Sequence, residues 1–131
     1  MLAAQAAGAD LAYVGSPFIA TEEANAPDEY KHAIVAAGAA DIVYTDLFTG
    51  VHGNYLRSSI AAAGLDADNL AGLDPTAMKF GSDGSVRAKA WKDIWGSGQG
   101  IGAVDRVRPA AEFIDLLAEQ YAAAKARVCS D

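Results

Sequence analysis

Two glycine-containing clusters hold the residues best suited to chemistry. The first is Gly15-Ser16, where the apolar run Leu11-Ala12-Tyr13-Val14 stops and a helix-like segment follows. Glycine lets a backbone approach a ligand closely, and serine adds a hydroxyl beside its N–H. At the carboxyl end of a strand that pairing suits a phosphate group. An ordinary strand-to-helix turn uses the same residues, and the local pattern alone does not separate the two readings.

The second cluster is Gly98-Gln99-Gly100-Ile101-Gly102-Ala103. It can be written G-x-G-x-x-A, which mimics a dinucleotide-binding fingerprint. No convincing strand precedes it, and no second strand with a ribose-binding acid follows, so that reading fails. What remains is a flexible connection, or a loop whose backbone faces a flat ligand with Gln99 offering a polar contact.

Other candidates are weaker. His32 falls within a predicted helix and reads as a surface residue. His52 sits in the loop Thr49-Gly50-Val51-His52-Gly53-Asn54, where a surface position competes with a substrate contact. No His, Cys, Asp or Glu set has metal-ligand spacing, which argues against a zinc site. Ser58-Ser59 has no base nearby in sequence, and no triad can be assembled. Trp91, Trp95 and Tyr55 can line a pocket for a flat cofactor or substrate, although such aromatics also serve as core. Glu22 and Glu23 suit the first turn of a helix, where the dipole favours acids.

These residues need elements to hold them. Leu2 to Ala7 predicts a helix from its Ala, Leu and Gln content. Leu11 to Val14 predicts a short buried strand. Thr21-Glu22-Glu23 reads as a helix start. Pro27 opens a helix whose Tyr30, Ile34 and Ala37 share a face, with Gly38 ending it. Asp41 to Leu47 predicts a strand, with Ile42 and Tyr44 on one side and Val43 and Thr45 on the other. Phe48 to Asn54 reads as loop, and Tyr55 to Ala63 as helix. Gly64 to Gly84 reads as loop, and Val86 to Ile94 as a helix anchored by Trp91 and Ile94. Pro109 opens a last helix with Phe113, Leu117, Tyr121 and Ala124 on one apolar stripe.

The bulk composition sets outer bounds. The chain has 131 residues, 10 basic and 17 acidic, a net charge of −7. That balance argues against nucleic acid or an anionic membrane as the main partner. Its 52% hydrophobic content fits a globular domain able to bury a core. Cys129 is the single cysteine, too few for an internal disulfide, which points to a reducing, cytoplasmic setting. No run approaches the roughly 20 apolar residues of a membrane span, and the first residues lack the basic start of a signal peptide.

The order of three segments is more telling than any one motif. AAGADLAYVGSPFIATEEA, FTGVHGNYLRSSI and WGSGQGIGAV, in that order, resemble the nitronate monooxygenase family from Ala3 to about Tyr121. The resemblance implies an α/β fold, the C-terminal part of an FMN-binding (β/α)8 TIM barrel with a helical substrate-domain segment. Residues 1–24 would be the last helix–strand unit, 25–104 a helical and loop insert, and 105–131 the C-terminal helix. Leu11 to Val14 would be the eighth strand. Gly15 and Ser16 would bind the FMN phosphate, and Gly98, Gln99 and Gly100 would approach the flavin. His52, Tyr55 and Trp95 become substrate-pocket candidates.

The family's catalytic histidine has no counterpart here, since neither His32 nor His52 matches its context. A complete barrel takes about 250 residues. The expected protein is therefore the C-terminal portion of a longer FMN oxidoreductase that oxidises alkyl nitronates with oxygen. The alternatives are an FMN-dependent NADH:quinone or enoyl reductase of the same superfamily, or an inactive assembly remnant. An unpaired strand edge would also favour a homo-oligomer.

Overall fold

The computed structural model describes residues 1–70, 73 and 93–129. Its helices are α1 (Leu2–Ala6), α2 (Ser16–Ile19), α3 (Asp28–Ala36), α4 (Arg57–Ala62) and α5 (Ala110–Cys129). Its strands are β1 (Ile42–Thr45) and β2 (Gly53–Leu56), paired antiparallel. The composition is mixed helix and strand, as expected for an α/β chain. The described residues hold one two-stranded antiparallel sheet, and no barrel is visible among them. Eight tilted parallel strands with their helices need about twice this length.

The hairpin separates two packed cores. In the register, Ile42 faces Leu56 and Val43 faces Tyr55. Because side chains alternate along a strand, these two pairs point to opposite sides. Ile42 and Leu56 join Ala20, Ile34 and Ile101 in one cluster. Val43 and Tyr55 pack on Leu47, Phe48, Ile60, Leu70 and Ile94 in the other. The alternation predicted for Asp41 to Leu47 thus places β1 correctly.

Helix α3 also follows its sequence signals. Pro27 precedes it, its carbonyl accepts from the N–H groups of Tyr30 and Lys31, and Asp28 and Glu29 sit in the first turn. Ile34 is fully buried. In α5 the predicted stripe of Phe113, Leu117, Tyr121 and Ala124 is the half-buried side. Phe113 meets Phe18 edge to face at 4.9 Å. The Tyr121 hydroxyl donates to Gln5 Oε1 at 2.6 Å, tying α5 to α1.

Three expectations are corrected. Leu11 to Val14 is not a strand. It has no regular structure and no strand partner among the described residues, with Leu11 88% and Tyr13 101% exposed. A strand needs a neighbour for its N–H and C=O groups, and none of the described residues pairs with this segment. Tyr55 and Leu56 belong to β2 rather than to a helix, and α4 begins only at Arg57. Strand pairing on both edges overrides the local helical pattern: β1 lies on one side, and Leu56 N–H donates to the Trp95 carbonyl at 2.8 Å on the other.

Thr21-Glu22-Glu23 does not start a helix: α2 (Ser16–Ile19) ends before it, opening where Pro17 loses nothing by lacking an N–H. Thr21 instead forms a parallel bridge with Arg108. Glu23 still meets a helix N-terminus, but that of α5, where Oε2 accepts from Ala110 N–H at 2.8 Å. Trp91 and most of the segment Val86 to Ile94 lie outside the described residues. Among the described residues no helix is long and apolar enough to cross a membrane.

Candidate functional site

The Gly15-Ser16 cluster and the Gly98–Ala103 cluster meet. Ser16 opens α2 and Gly98 precedes the tight turn Gln99–Ala103, and Gly98 N–H donates to Ser16 Oγ at 2.8 Å. Because that oxygen accepts there, its own O–H stays available to donate outward. Eighty-two residues separate the partners in sequence.

The glycine loop is held along its whole length. Trp95 N–H donates to Ser59 Oγ at 3.0 Å, and that hydroxyl donates to the Leu56 carbonyl at 2.8 Å. Ser97 N–H donates to the Asn54 carbonyl at 3.0 Å. Ile101, fully buried, pins the turn into the cluster with Ile34 and Leu56. Gln99 and Gly100 are left exposed at the tip.

Tyr30 completes the support. Its ring stacks on Trp95 at 4.9 Å with the planes 15° apart, and its hydroxyl donates to the Gly96 carbonyl. Burial raises the Tyr30 phenol above its usual pKa. Beside it an open cleft of about 410 Å³ is bounded by Gly15, Phe18, Ile19, Asn25 and Tyr30.

One polar atom here is unexplained by the protein itself. Ser97 Oγ is buried, and among the described residues it has no hydrogen-bond partner. Such an orphan costs about 1–3 kcal/mol unless something satisfies it. It lies one residue from the Ser16–Gly98 contact.

The other candidates are placed elsewhere. His52 is exposed and stacks on Tyr44 at 4.9 Å. Tyr55 packs edge to face on Phe48 at 5.0 Å, in the core on the far side of the sheet from Trp95. Of the three pocket candidates, Trp95 alone shares a cluster with Tyr30 and Ile101. His32 is exposed, and its Nδ1 bonds the Asp28 carbonyl at 2.8 Å, as a surface residue would. Ser59 is 1% exposed and spent on the backbone, so it has no nucleophilic role. Among the described residues no His, Cys, Asp and Glu group could hold a metal.

Sequence reasoning missed Tyr30 and Ser97. Tyr30 did appear on the inward stripe of α3, and its phenol was the one polar group on that stripe. Ser97 sits inside a motif read for its glycines.

A family model for nitronate monooxygenase matches residues 1–120. No curated protein and no solved structure matches the chain. The match spans the Ser16 turn, the hairpin and the glycine loop alike, so the chain belongs to the nitronate monooxygenase family.

Proposed function

We propose that the chain serves as the C-terminal portion of an FMN-dependent oxidoreductase that oxidises alkyl nitronates with oxygen. The observation that supports this reading is the Ser16–Gly98 contact, which gathers a hydroxyl and a glycine-rich backbone at one point. The residues present fit a flavin phosphate. Ser16 has an O–H left to donate. Ser97 Oγ is a buried orphan next door. A side chain built at Gly100 would meet nothing within 4 Å, so the loop tip is open.

In this reading Gly15, Ser16, Gly98 and Gly100 hold the phosphate end. Gln99 offers its carboxamide to the ring system or to substrate, and Trp95 walls the site. Bound FMN supplies the redox chemistry, and the protein supplies orientation. These residues include no general base. A (β/α)8 barrel takes about 250 residues, so a base and further flavin contacts come from outside this chain's 131 residues.

The test is anaerobic mixing of the flavin-loaded parent enzyme with an alkyl nitronate, and separately with NADH. Flavin bleaching by the nitronate, with little effect of NADH, is the expected result. Reduction by NADH alone would replace this reading with a quinone or enoyl reductase.

A further inference from the structure

We infer that the Tyr30 hydroxyl is a latch that aims the glycine loop at Ser16. The inference concerns a positioning residue, and its functional meaning rests on the reading just proposed. The geometry centres on one peptide unit, between Gly96 and Ser97. Its carbonyl, from Gly96, accepts from the Tyr30 hydroxyl. Its N–H, from Ser97, donates to the Asn54 carbonyl of β2 at 3.0 Å. The peptide is planar, so fixing both ends fixes the direction in which the chain leaves it. The next N–H along the chain is that of Gly98, which donates to Ser16 Oγ.

Without the phenol the unit is held from the β2 side only. Glycine at 96 and 98 then gives the backbone wide freedom to rotate. The ring of Tyr30 cannot substitute for the hydroxyl. It stacks on Trp95, whose own N–H is already tied to Ser59. Tyr30 therefore has two separable parts: a ring that packs the tryptophan and a hydroxyl that orients the loop.

Amide hydrogen exchange on the ligand-free full chain tests this, comparing wild type with Tyr30→Phe and Tyr30→Leu. Tyr30→Phe keeps the ring and removes only the hydroxyl. It should speed exchange at the Gly98 amide about fivefold to tenfold, the effect of one hydrogen bond. The Trp95 and Leu56 amides should stay within about twofold of wild type. Tyr30→Leu, which also loses the stack, should release Trp95 as well. Wild-type protection of Gly98 in Tyr30→Phe would overturn the latch and leave Tyr30 a packing residue. An equal acceleration at Gly98 and Leu56 would overturn it too, because the effect would then be global. No flavin enters the measurement, so failure of FMN binding would remove the proposed function without touching this result.

Discussion

Ile101→Ala should destabilise the chain by about 2–5 kcal/mol, the range for truncating a buried isoleucine. Ile101 is 0% exposed and packs where four segments converge: the end of α2 through Ala20, α3 through Ile34, β2 through Leu56, and its own tight turn. Deleting its outer carbons leaves a hole that none of these backbones can close alone. The loss is large against the 5–15 kcal/mol by which domains are ordinarily stable. Urea denaturation reads it as a lowered midpoint with little change in slope. Ile101→Val, which removes one methylene, should cost about 0.5–1.5 kcal/mol. Equal effects of the two substitutions would mean that Ile101 is not the anchor of the turn. Because Gln99 and Gly100 ride on that turn, Ile101→Ala should also weaken ligand binding at conditions where the protein is still folded.

The second large effect is expected at Gly98. Its backbone is extended, with φ −79° and ψ 157°, so a side chain brings no backbone strain there. The constraint is space. A Cβ at Gly98 would lie 3.4 Å from Ser16 Oγ, tight but tolerable after a small shift. Valine adds two methyl groups beyond that point. Gly98→Val should push the Ser16 hydroxyl away, break the 2.8 Å contact, and cost about 1–3 kcal/mol from overpacking. Gly98→Ala should cost clearly less. FMN titration and thermal melting of both variants distinguish these outcomes. If valine binds FMN as tightly as glycine does, the junction is not part of the cofactor site.

How much of this was readable in the sequence depends on the range of the forces involved. Local signals placed α3, with Pro27 before it and Ile34 on its buried face. They also placed β1 and the inward stripe of α5. Elements decided by distant partners were misread. Tyr55 and Leu56 look helical locally, yet pairing with β1 and with the Trp95–Ser97 segment makes them strand. Leu11 to Val14 looks like a strand, yet no described neighbour pairs with it. Glu23 carried the right chemistry, an acid for a helix N-terminus, but the helix it caps begins 87 residues away.

The site shows the same division. Residue type alone picked out Gly15, Ser16, Gly98, Gln99 and Gly100. Only tertiary packing brings Ser16 and Gly98 into contact. Packing also sends Tyr55 to the opposite core, away from Trp95. Tyr30 was visible as a core residue, and its hydroxyl gained a role only when Gly96 was placed against it.

FMN affinity, read from flavin fluorescence, tests the phosphate junction most directly when wild type and Ser16→Ala are compared in the flavin-binding parent enzyme. In the proposed reading the Ser16 hydroxyl donates one hydrogen bond to the phosphate, worth about 1 kcal/mol, so Ser16→Ala should weaken binding roughly fivefold. Riboflavin, which lacks the phosphate, should bind both proteins equally. Equal FMN affinity in the two proteins would contradict the assignment and remove Ser16 from the site.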